Sequence, residues 1–263
     1  MPMLLSIVVA LRECWRRAHG VERVGYAVGG LLLMSGLIHL AILVISGGSW
    51  QGPLSFRKAA TFGLSFGLTL ITIVWVVQFL KLGTRLRSVL LTAFTAASVL
   101  ETGLVSLQVW RGVPSHFNVE TTFDAWVTRG LAGGGVVLVA IVVALTVAAC
   151  RNNPSVPMSL RIATRTGFLA LCGAMAVGAA MIARGMVLVF SGSAETAYAT
   201  AGALKPVHAV TMHGVLVLPA LAWLLSFADW SEQRRVNVVR AAAAVYLLLV
   251  AAVTLASIAS LSS

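Results

Sequence analysis

Residues 126–149 read WVTRGLAGGGVVLVAIVVALTVAA, 24 residues carrying one charge, Arg129. As a helix rising about 1.5 Å per residue, the stretch covers about 36 Å, enough to cross roughly 30 Å of hydrocarbon. Similar stretches recur along the chain, at about 24–45, 58–80, 88–110, 166–190, 206–228 and 237–260. Lipid offers no water to backbone N–H and C=O groups, and a helix satisfies them within each segment. The sequence therefore predicts an all-α integral membrane bundle of seven transmembrane helices.

Composition agrees with that reading. Of 263 residues, 59% are hydrophobic and only 10% charged, where a soluble domain carries roughly a quarter charged. No loop is long enough to bury a core of its own. The expected organisation is a basic cytoplasmic segment, 1–23, followed by one transmembrane domain, 24–263. Met1 to Leu11 is too short to span and is followed by Arg12, Arg16 and Arg17 without a small-residue cleavage pattern. It reads as an interfacial helix preceding an uncleaved anchor.

The net charge of +11 would suit nucleic acid if it lay in one basic patch, but it is divided among short loops. Thirteen of the 19 Lys and Arg residues fall at the N-terminus and in the second, fourth and sixth loops: Arg12, Arg16, Arg17, Arg23, Lys81, Arg85, Arg87, Arg151, Arg161, Arg165, Arg234, Arg235 and Arg240. The positive-inside rule then makes the N-terminus cytoplasmic and the C-terminus external. Trp50, Trp110 and Trp126 fall at the opposite boundary, where interfacial aromatics belong. The expected partner is the bilayer of a bacterial inner membrane, with another membrane protein or a redox partner as further candidates and no nucleic acid. Cys14, Cys150 and Cys172 lie near the inner side without metal-type spacing, which argues against an extracellular disulfide framework.

The other six basic residues, Arg57, Lys58, Arg111, Arg129, Arg184 and Lys205, gather toward the outer side. Positive charge placed against the topological rule calls for a specific partner. Three outer segments carry most of it: Trp50 to Lys58, Trp110 to Asp124, and Lys205 to Gly214. Each joins Pro or Gly turn signals to basic or imidazole groups. The stretches GPLSFRK (52–58) and RGVPSHFNVETTFDA (111–125) resemble the outer loops of a group of uncharacterised bacterial multipass membrane proteins. The resemblance covers short windows and implies no activity.

Ionisable residues inside the spans are the remaining signal, because charge in lipid is costly and usually marks a pathway or a site. His39 lies six residues below the outer end of span one and His213 seven residues into span six, so both sit about 10 Å deep. Two imidazoles at one level could supply both axial ligands of a haem b with an electron-transfer role. Arg57, Lys58, Arg111 and Lys205 would then receive its propionates. His208 and Met212, four apart and on one helical face, admit a copper site joined by His116. Glu101, about 14 Å deep, and Arg184 suit a proton-coupled or anion transporter as catalytic groups. The same residues also admit plainer roles: Glu101 with Arg184 as a buried ion pair, the histidines as packing groups between helices, and the chain as a non-catalytic accessory subunit.

Several classes fall away. The only lysines are Lys58, Lys81 and Lys205, so span seven holds none for a retinal Schiff base. His208 and His213 are five apart, roughly 140° around a helix, which disfavours a shared zinc centre. Small residues at Gly25 and Gly29, at Ala59, Gly63 and Gly67, and at Gly130 and Gly134 predict close helix packing, and none forms a phosphate loop.

Overall fold

The computed structural model describes residues 3–200 and 202–262. Among these the chain forms nine helices and no strand: α1 (Met3–Arg17), α2 (Gly20–Ile45), α3 (Arg57–Val77), α4 (Thr84–Trp110), α5 (Thr122–Cys150), α6 (Met158–Phe190), α7 (Ala194–Thr200), α8 (Lys205–Leu225) and α9 (Glu232–Ser262). Seven of them, α2 to α6, α8 and α9, are long and apolar enough to cross a membrane. The architecture is that of a multipass membrane protein.

Most boundaries lie within a few residues of the sequence reading, with one informative exception. α6 starts at Met158, a full two turns before the predicted 166. Arg161 and Arg165 interrupt the apolar run there without breaking the helix, since a helix closes its own hydrogen bonds in water or in lipid. Pro157 precedes the first turn and forms its N-cap. The short helix α7 is too brief and mixed to be read from periodicity.

Loops at one end of the bundle join α2 to α3, α4 to α5 and α6 to α8; this is called the His116 end below. Helices α4 and α6 reach it and stop the same way. Gly112 and Gly192 adopt left-handed φ of 67° and 81°, and the next residue donates back across the turn: Val113 N–H to Gln108 O at 3.1 Å, and Ser193 N–H to Leu188 O at 2.8 Å. Only glycine takes this backbone conformation cheaply, which is why these helices end there.

Packing begins from small residues. α2 and α3 meet so closely that a Cβ on Gly36 would lie 2.5 Å from Leu64 N, and one on Gly63 2.6 Å from Gly36 Cα. Gly29 and Gly67 repeat the contact two turns along. In lipid such approach is stabilised by dispersion between backbones and not by expulsion of water. α6 and α8 do likewise, with Gly167 against Gly214 O. Around these contacts α4 packs on α2, α3 and α5, α5 on α6, and α9 on α6 and α8, while α3 touches α8. Leu70, Ile73, Leu91, Leu145, Phe168 and Leu171 fill the centre. Val245, Leu247, Leu248 and Leu255 of α9 point away from it.

At the other end, Glu22 accepts the His19 N–H at 2.9 Å and pairs with Arg87 at 2.7 Å, tying the start of α2 to α4.

The close α2–α3 contact predicts that Gly63→Leu lowers thermal stability in detergent by about 1–3 kcal/mol through overpacking. Gly30 has no neighbour within 4 Å of a built Cβ, so Gly30→Ala is the matched control and leaves the melting temperature within error or above it.

Candidate functional site

The loop between α4 and α5 builds the His116 end. It starts from a buried carboxylate. Thr121 caps α5 by accepting the Asp124 N–H at 3.1 Å and returns its own hydroxyl to Asp124 Oδ2 at 2.6 Å. Asp124 Oδ1 receives the Gln108 amide at 2.9 Å and Arg111 at 2.5 Å. Arg111 also donates to Gln108 Oε1 and stacks 4.6 Å from the Phe123 ring centre. Gln108 and Asp124 are fully enclosed, at 0% and 2% exposure. The network clamps the top of α4 to the start of α5.

From this clamp the intervening residues turn inward. Ser115 and Asn118 are buried, and Thr128 donates to Asn118 O at 2.7 Å. Phe117 holds a left-handed φ of 66°, which is unusual for a bulky residue and costs on the order of 1–3 kcal/mol. Its ring lies on Gly185 of α6, where any Cβ would collide with it. His116 is thereby set against Phe62 of α3, ring centres 5.7 Å apart. Phe62 stands one turn beyond Lys58 on the same helix.

Lys205, first residue of α8, completes the group. The positive fields of Lys58 and Lys205 both reach His116. Burial first, and then those two charges, push His116 well below the ordinary imidazole value. Arg57 lies beside them, its Nε donating to Trp50 O at 2.7 Å. No carboxylate forms an ion pair with Arg57, Lys58 or Lys205 among the described residues. The one strong acid of the loop, Asp124, is taken by Arg111. At the starts of α3 and α8, Arg57 N–H donates to Ser55 Oγ at 3.1 Å, Lys58 N–H to Ser55 O at 3.0 Å and Lys205 N–H to Gly202 O at 3.1 Å, and α8 carries Pro206 in its first turn. Asn118, two residues beyond His116, is fully buried and its amide nitrogen has no acceptor.

The other predicted site residues are not brought together. His39 is buried and His213 half-buried, and no hydrogen bond or ring contact joins them among the described residues. Its Nδ1 donates to Ser35 O at 2.8 Å and its Nε2 accepts from Trp110 Nε1 at 3.0 Å. Both nitrogens are used, so His39 does not fit an axial haem ligand without losing the Trp110 bond. α2 packs on α3 and α4, whereas α8 packs on α6 and α9. His213 is half-buried, with Nδ1 on Ala209 O at 2.6 Å.

The propionate role for the rim is corrected likewise for Arg111, which Asp124 and Gln108 already hold. His208 Nδ1 donates to Ala174 O of α6 at 2.7 Å, while Met212 Sδ accepts from Thr69 of α3 at 4.0 Å. No group of three or more His, Cys, Asp or Glu able to hold a metal occurs among the described residues.

Glu101 and Arg184 do not pair. Arg184 is exposed on α6, and Glu101 is buried with its Oε1 against Gly134 of α5 and without a hydrogen-bond partner. Thr102 and Ser106 on α4 also leave hydroxyls unpartnered. Arg129 stacks 5.5 Å from the Trp126 ring.

Sequence reading identified Lys58, His116 and Lys205 separately but assigned His116 to a metal. The inward turn of the loop depends on Phe117 meeting Gly185, a tertiary contact with no local pattern. Comparison with protein-family models, with curated proteins and with solved structures yields no match to this chain.

Because His116 binds its proton more weakly folded than unfolded, the unfolded state holds more protons below its ordinary value of 6.5. Stability contributed by neutral His116 is therefore present above that pH and declines as pH falls below it. Thermal melts of His116→Gln are expected to show a shallower loss between about pH 6.5 and 5 than the native chain. Parallel curves would contradict the burial of a neutral imidazole.

Proposed function

We propose that the chain is an anion-binding membrane protein of the bacterial inner membrane, with its His116 end facing outward and Lys58 and Lys205 as the principal ligand-binding residues. One observation carries this reading: Lys58 and Lys205 stand at the starts of α3 and α8, at one end of the bundle, and neither forms an ion pair with a carboxylate among the described residues. Clustered like charge raises the energy of the folded state, and a bound anion offsets it. Arg57, half-buried and held at the rim by Trp50, guides anions toward the pair.

Binding is the first step of carriage across the bilayer in this account. Glu101 supports that extension, being a carboxyl in the interior with no cation beside it. Acidic groups so placed commonly move protons in carriers. Arg184 has no part in it, since it lies exposed on α6. The electron-transfer reading has less support, because its first ligand, His39, already uses both ring nitrogens.

Sulfate titrated into the purified protein tests the binding step. Replacing Lys58 or Lys205 by Gln removes a charge-assisted contact of about 1.5–3 kcal/mol, so affinity falls roughly 10-fold or more. Unchanged affinity in both variants sinks the assignment. For carriage, sulfate flux into proteoliposomes is expected to collapse in Glu101→Gln while sulfate binding persists; undiminished flux removes Glu101 from the pathway.

A further inference from the structure

Helix α1 lies at the end of the bundle opposite His116. Its 15 residues cover about 22 Å, too short to cross roughly 30 Å of hydrocarbon. Only Ala18 and His19 separate it from the spanning helix α2. The elbow between them is held in place. The His19 N–H donates to the buried Glu22, which pairs with Arg87 of α4. Cys14 Sγ lies 3.8 Å from the Tyr26 hydroxyl of α2 and accepts from the Gln78 amide, just after α3, at 3.7 Å. The last turn of α1 is thus tied to the ends of two spanning helices, and the Cys14 side of α1 is set toward the protein.

The opposite side is exposed and carries two kinds of residue. Val8, Leu11 and Trp15 recur at intervals of three and four and form an apolar stripe. Arg12 and Arg16, also exposed, run along the adjoining row. Leu11, Arg12, Trp15 and Arg16 border an open groove of about 480 Å³. Arg23 of α2 reaches back to the same place, its guanidinium 6.0 Å from the Trp15 ring centre and donating to Arg16 O at 3.3 Å. The single acid of α1, Glu13, pairs with Arg17 at 2.7 Å and stands 3.6 Å from Arg16. Arg12 and Arg23 form no ion pair among the described residues.

We propose that α1 docks on the membrane surface at this end of the bundle, and that the groove receives the phosphate of an anionic phospholipid headgroup. An apolar stripe beside arginines is what a helix lying in the interface requires. The stripe enters the boundary of headgroups and acyl chains while the guanidinium groups stay among the phosphates. Arginine suits phosphate because its planar fork donates two bonds to it. The short elbow argues for lipid as the occupant. α2 enters the bilayer two residues beyond α1, so the membrane surface is always within reach of the exposed stripe. This surface and the Lys58–Lys205 end are independent of one another.

Hydrogen exchange of the whole chain in nanodiscs tests the proposal, read on peptides covering residues 3–17. Phosphatidylcholine and phosphatidylglycerol both carry a phosphate, but only the second is anionic. Each arginine near an anionic surface contributes roughly a fivefold factor. The α1 amides are therefore expected to exchange about tenfold or more slowly in phosphatidylglycerol than in phosphatidylcholine. Peptides from α9 are the reference and exchange alike in both. In Arg12→Gln/Arg16→Gln the lipid difference should shrink to about twofold or less, with the melting temperature unchanged because both side chains are exposed. Val8→Ser/Leu11→Ser should speed α1 exchange in both lipids. Equal exchange of the native chain in the two lipids, or a difference undiminished in the arginine variant, overturns the proposal. Slow exchange in both lipids that Val8→Ser/Leu11→Ser leaves unaltered assigns the face to a protein contact and overturns it equally.

Discussion

The hydrocarbon interior offers no water, so every polar side chain carried into it must find its partner within the protein. That constraint organises the chain. His39 answers it with Ser35 and Trp110, Asp124 with Thr121, Gln108 and Arg111, and His208 with a carbonyl of α6. Each answer fixes how two segments meet. Groups left without a partner include the carboxyl of Glu101, the Thr102 and Ser106 hydroxyls beside it on α4, and the Asn118 amide.

Glycine-mediated contact and polar pairing divide the work between them. Gly36 and Gly63 bring α2 and α3 into backbone contact, and Gly167 and Gly214 do so for α6 and α8. α3 and α8 meet in turn, which places their starts at one end and Lys58 within reach of Lys205. The Asp124 clamp then fixes the root of the loop that sets His116 against Phe62 of α3. Phe117 in its left-handed conformation is the strained link in that loop, stabilised by the vacancy that Gly185 leaves on α6. Geometry at this end thus depends on two glycine contacts and one buried carboxylate.

The seven helices were legible because hydropathy over a span reports lipid directly, and the glycine spacings at Gly29, Gly63, Gly67 and Gly134 marked true close contacts. Depth was legible too, from residue counts along a helix. Direction was not. His39 and His213 share a level, yet depth is one coordinate, and their helices pack on different neighbours. The same loss of angular information put Glu101 beside Arg184, where the fold separates the two. His116 was singled out by its neighbours Pro114, Ser115 and Asn118, but its environment is set by Lys58 and Lys205, which are distant in sequence. A cation site and an anion site look alike in sequence until the charges around the imidazole are placed.

The most direct measurement is an electron cryomicroscopy map of the protein in nanodiscs prepared in sulfate. The account predicts compact density bounded by the Lys58 and Lys205 ammonium groups, with Phe117 seated on Gly185. A map in which the two lysines extend into separate regions of solvent, with His116 turned out of the bundle, would contradict it.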